Sequence, residues 1–240
     1  MFLAALMKQK SPYLEITHAY YALFLNRYLS ENNYEISSRT HTADGNSLPL
    51  MSQKQLQTLI TFHLRAAVSN ENLINNAVKD FPEFITGADT EQEILPSVLH
   101  VVTQLAMDYY TQLLQTRGGD QSWMPLSSEK FLVTNFQDND DDAGLVLARY
   151  FQMIQKLNQQ KEYLTSSAYF ELQRIRLFAS HYNSNNDKGD LDRLLGDGMK
   201  QYRKTPYVTH YYAEAARNIM NKNAKDKYVK AIVQCEKAIQ

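Results

Sequence analysis

The chain has 240 residues, 44% of them hydrophobic and 21% charged, with a formal net charge of -1. This is enough apolar mass for one large domain or two small ones, and it sets up no global field toward nucleic acid or anionic lipid, so no nucleic-acid partner is expected. The lone cysteine, Cys235, excludes an intramolecular disulfide and a cysteine-based zinc site, and six prolines with eight glycines are too few for a turn-rich β protein.

Met1 to Met7 is apolar but short, with no basic start and no small-residue cleavage site, so it does not read as a signal peptide. No run approaches the ~20 apolar residues of a membrane span. A cytoplasmic setting is expected. Ser11-Pro12 opens the first helix, with the serine as cap and the proline in the first turn. Tyr13, Ile16, Tyr20, Leu23 and Phe24 carry its apolar stripe to about Leu29. Asp44-Gly45-Asn46 marks a turn. Ser52 with Gln55 forms a capping box for a helix striped by Leu56, Leu59, Ile60, His63 and Ala67, on which His63 reads as a seam residue. The apolar run from Leu73 stops before Pro82.

Thr90 with Glu93 is a second capping box. It is expected to start one long helix through Leu95, Val98, Leu99, Val102, Leu105, Ala106, Tyr109 and Leu113, with Pro96 in its first turns. Gly118-Gly119-Asp120 stops it and divides the chain into a helical subdomain over 1–119 and a second over 120–240, unless the two form one continuous domain. Ser127 to Phe136 favours a short helix over a strand. Ala143 to Leu157 and Ser166 to Tyr182 are helical by period, and Asn183 to Lys188 is a polar loop. Without βαβ alternation, an all-α fold is expected, a multi-helix array or bundle.

The last fifty residues add a pattern. A helical run opens at Gly189-Asp190-Leu191-Asp192 and stops at Thr205-Pro206, and a second helix follows with Tyr212-Ala213-Glu214-Ala215-Ala216. The closing helix places Tyr228, Ala231, Ile232, Cys235, Ala238 and Ile239 on one stripe, expected to be buried, and Lys227, Lys230, Gln234 and Lys237 on the other. With its small residues at this spacing and its closing proline, the segment resembles the tetratricopeptide repeat. The resemblance implies stacked helix pairs whose concave face binds a peptide or a helix, with Tyr169, Tyr202, Tyr211, Arg203 and Lys204 as groove residues. A protein or peptide partner is the implied ligand, with homo-oligomerisation left open. Packing of the same tyrosines between helices is the competing reading.

Chemistry is thinly marked. Asp138, Asp140 and Asp142 alternate like calcium ligands, but Gly144 comes one place late and Arg149 stands where a glutamate is needed, so an acidic helix cap is expected instead. The six histidines show no metal spacing, and no cofactor motif occurs. Arg176-Leu177-Phe178-Ala179-Ser180-His181, with Arg203 to His210 as a second match, is similar to the arginine–histidine motif of HEPN-type ribonucleases, and Tyr20-Tyr21-Ala22 to a helix of that all-α family. That resemblance implies RNA cleavage by Arg176 and His181. It is the alternative to a partner-binding adaptor or scaffold. The charge is uneven: residues 80–142 hold 12 acidic and 2 basic residues, and residues 199–240 hold 9 basic and 3 acidic.

Overall fold

The computed structural model describes residues 8–37, 48–82, 89–181, 188–221 and 226–239. The Asp44 turn, the 183–187 loop, Met1 to Met7 and the side chain of Thr90 lie outside that set. The described residues form eleven α-helices and three short 3-10 segments, with no β-strand among them. The all-α expectation therefore holds. Compactness divides the chain into Met1–Tyr109 and Tyr110–Gln240.

In the first unit, α1 (Tyr13–Glu31) is followed by the short α2 (Asn33–Ser37) and by α3 (Gln53–Val68). α1 and α3 form the main helix pair, with Ile16, Ala19, Ala22 and Leu25 buried on one side and Leu56, Ile60, Leu64 and Ala67 on the other. The Ser52 capping box is present: its hydroxyl accepts from the Gln55 amide, and the Gln55 side chain accepts from the Ser52 amide at 2.8 Å. Ser11 does not cap α1. The cap position falls to Pro12, without a side-chain bond, and the Ser11 hydroxyl instead accepts from Asn70.

Pro96 does not sit inside a long helix. Helix α4 (Asp89–Ile94) ends before it, and α5 (Val98–Arg117) begins after it. Lacking an N–H and crowding the preceding turn, the proline breaks the helix. The break is used: Val98 donates to Asn76 and Val78 donates to the Pro96 carbonyl, as Ala77 and Ser97 form an antiparallel bridge. α5 runs on past Tyr109 and ends at the glycine pair, where Gly118 takes φ 78° and Gly119 φ 159°.

In the second unit, α6 (Ser128–Val133) confirms the short helix. It is followed by α7 (Ala143–Lys161), α8 (Leu164–His181), α9 (Lys188–Gln201), α10 (Val208–Met220) and α11 (Lys227–Ile239). The acidic run is a cap, as expected. Asp142 accepts from the amides of Leu145 and Asp120, each at 3.0 Å, and Arg149 pairs with Asp138 and Asp140. Gly144 is required there, since a Cβ would lie 1.9 Å from the Asp120 carbonyl oxygen. From α7 onward each helix packs on the next in the chain. Successive packed pairs of this kind are compatible with a repeat-like array.

Candidate partner-binding surface

Helix α8 organises the second unit through two of its rows. The inner row carries Glu171 and Arg174, both buried. Arg174, 0% exposed, donates to Glu171 at 2.6 and 3.1 Å and to the Met124 carbonyl at 2.7 Å, and it lies 4.8 Å from the Phe131 ring centroid. Ser128 adds a hydrogen bond to Glu171 at 2.7 Å. A buried ion pair holds only when its remaining donors and acceptors are met, and here the backbone and Ser128 meet them.

Tyr202 and Tyr211 belong to this interior. Tyr211 donates to the Ala168 carbonyl at 2.9 Å, and its ring lies 5.7 Å from that of Tyr202. Gly198 makes room for it, since a Cβ there would come within 2.1 Å of the Tyr211 ring. Burial, with the Glu171 carboxylate adding to it, pushes the Tyr202 hydroxyl well above the ordinary tyrosine range. Neither ring faces solvent, so of the five expected groove residues these two pack between helices. Arg203 and Lys204 are exposed on the turn after α9, and Tyr169 is half-buried.

The outer row of α8 meets α10. Arg176 donates to Glu214 at 2.9 Å, and Arg217 donates to the same oxygen at 2.6 Å. Tyr207 stands edge-on to Tyr169, with centroids 5.7 Å apart, and tilts against His210 at 4.4 Å. Burial raises the pKa of the Tyr207 hydroxyl, with the nearby Arg176 charge opposing it. Burial and then the Arg176 charge lower the pKa of His210. Two arginines on one carboxylate leave this patch of tyrosine, histidine and arginine with surplus positive charge, open at Tyr169, His210 and Arg217.

The patch does not gather Arg176 with His181. Five residues on one helix place them about 140° apart around its axis. His181 Nδ1 lies 2.9 Å from the Leu177 carbonyl and 3.1 Å from the Ser180 hydroxyl. Tyr207, Glu214 and Arg217 were not singled out from the sequence. The signals present were the three-residue spacings Tyr207–His210 and Glu214–Arg217 on one helix face.

Helix α11 departs from its expected stripe. Ala231 is buried and Ala238 and Gln234 are half-buried, while Tyr228 is 61% and Ile232 56% exposed, and Cys235 is exposed. The small residues allow close approach to α10, so the seam runs through the alanines and Gln234 instead of through the larger side chains. Cys235 is therefore a surface thiol and not a buried one.

No protein-family model, curated protein or solved structure matches the chain. Among the described residues no helix is long and apolar enough to cross a membrane, and no group of three or more metal-ligating side chains gathers.

Proposed function

We propose that the chain is a protein–protein interaction module, an adaptor or scaffold that binds a partner peptide on the surface of α8 and α10. The observation that carries this reading is the patch in which Tyr169, His210, Arg176 and Arg217 reach the surface around the buried Tyr207, flanked in the chain by exposed Arg203 and Lys204. Aromatic and arginine side chains are the groups that anchor protein interfaces. Stacking of helix pairs like that of the tetratricopeptide resemblance would support the same reading. α8 packs on α9 and α9 on α10, while Tyr211 to Ala168 and Arg176 to Glu214 also tie α8 to α10, as the first helices of two stacked pairs would be tied.

An acidic peptide suits the surface, because residues 199–240 carry 9 basic against 3 acidic residues. Affinity capture with the native chain and with a variant carrying Tyr169→Ala, Arg203→Glu and Lys204→Glu tests the site. Partners are expected to drop out with the variant, and partners retained in full place the binding face elsewhere. The ribonuclease alternative draws no support from the geometry, since Arg176 is ion-paired and His181 Nδ1 is engaged by its own helix. It requires cleavage of RNA that disappears in His181→Ala, whereas the scaffold reading expects no cleavage.

A further inference from the structure

Helix α11 carries apolar residues on two sides. The side turned to α10 is narrow and built from Ala231 and Ala238. The outer side is larger: Tyr228, Val229, Ile232 and Val233 are 61%, 65%, 56% and 42% exposed. Tyr228 and Ile232 are one helical turn apart, as are Val229 and Val233, so the four form one continuous surface. Cys235 continues it, and Glu236 closes it one turn after Ile232. Isolated exposed apolar residues need no account, but a contiguous stripe of large ones marks an interaction surface. Tyr228 and Ile232 belong to the stripe the sequence was expected to bury, and the chain's own fold leaves them outside with Val229 and Val233.

The charge along its border says what covers it. Lys230 and Lys237 lie on one side of the helix beyond Val233, two turns apart. Among the described residues Lys237 has no acidic partner, while Lys230 pairs with Asp226 in an exposed bridge. The surrounding segment, residues 199–240, has 9 basic and 3 acidic residues, a net of +6. A second copy of α11 would bring the same positive charge against itself. A helix with an apolar stripe and glutamate or aspartate beside it would satisfy both the surface and the lysines.

We propose that the outer face of α11 docks an amphipathic, acid-flanked helix of a partner protein, at a site separate from the α8–α10 patch. The helix has 13 residues, a length of about 20 Å, so the partner segment is about four turns long. The partner's apolar residues cover Tyr228, Ile232 and Val233, and its carboxylates meet Lys230 and Lys237. Docking also shields Cys235, the only cysteine in the chain, which makes its thiol a native reporter.

The test uses the full chain and two synthetic helical peptides with the same leucine stripe, one flanked by glutamate and one by lysine. The alkylation rate of Cys235 is measured as each peptide is added. The glutamate peptide is expected to slow alkylation at least about tenfold at saturation and the lysine peptide to leave it unchanged. Ile232→Glu should abolish the protection while leaving the circular dichroism spectrum and thermal melt unaltered, because the side chain is more than half exposed. The Tyr169→Ala variant, which leaves the charge of residues 199–240 intact, should protect Cys235 as well as the native chain does, which separates failure of this site from failure of the α8–α10 patch. Equal protection by both peptides removes the charge argument and overturns the proposal. So does protection that survives Ile232→Glu, or the absence of protection by either peptide. Sedimentation showing a dimer that Ile232→Glu dissolves would assign the face to a second copy of the chain and overturn it as well.

Discussion

Two histidines show how burial decides chemistry at the scale of single residues. His18 and His63 lie on facing helices with their Nδ1 atoms 2.7 Å apart, so one donates a shared proton to the other. His63 Nε2 is buried without a hydrogen-bond partner among the described residues, and burial, with the neighbouring His18 adding to it, lowers its pKa to about 4. His18 is lowered too, by burial, against the opposing pull of Glu15. The unfolded chain takes up protons near the ordinary value of about 6.5 while the folded chain does not, so acid favours unfolding. Stability of the first unit should be full above about pH 6.5, fall as the pH drops toward 4, and level off below that. Hydrogen exchange of the Ile60 and Leu64 amides, corrected for the intrinsic pH dependence, reads this directly. Unchanged protection between pH 7.5 and 4.5 would show that the pair does not control the seam. At Arg174, removing one partner should cost about 3–5 kcal/mol, since it strands a buried charge. Glu171→Gln is expected to lower the melting temperature of the second unit, and a melt equal to the native one would show the ion pair to be dispensable.

Among the helices, α11 is where residue size overrules hydrophobicity. Its seam with α10 runs through Ala231, so Ala231→Leu should overpack it and cost about 1–3 kcal/mol. Ile232→Ala, on the outer face, should leave the melt almost unmoved although it removes the larger side chain. The reverse order of effects would restore the stripe read from the sequence. The helix boundaries show the same division between local and distant causes. The Ser52 box, the Asp142 cap and the stop at Gly118-Gly119 are local signals, complete within a few residues of chain, and they were legible. The cap at Ser11 failed because its hydroxyl is taken by Asn70, and the continuity through Pro96 failed because the Pro96 carbonyl and the Val98 amide pair with Val78 and Asn76, in each case partners far away in sequence.

Across the whole molecule, charge is separated along the chain, with 12 acidic and 2 basic residues in 80–142 and 9 basic and 3 acidic in 199–240. If the second unit binds acidic peptides, salt should act mainly on association. With screening over a Debye length of about 8 Å at physiological ionic strength, raising the salt should slow capture of an acidic peptide and leave its dissociation nearly unchanged. Surface plasmon resonance at two salt concentrations separates the two rates. A change confined to dissociation would point to close-range contacts, not to the field of the basic segment.

The sequence by itself determined the helices. Apolar residues recurring at helical spacing, few glycines and prolines, and capping residues at short range set the α fold, because these effects act within one or two turns. It also named Tyr169, Arg176, Arg203, Lys204 and His210 among residues to watch, without saying which would meet. Only the tertiary structure decided that Tyr202 and Tyr211 lie inside, that Arg176 meets Glu214 instead of His181, and that α11 turns its alanines inward. Helical periodicity tells which residues share a face, but which face is covered depends on how closely a neighbour distant in the chain can approach. At α11 the small side chains of Ala231 and Ala238 set that approach.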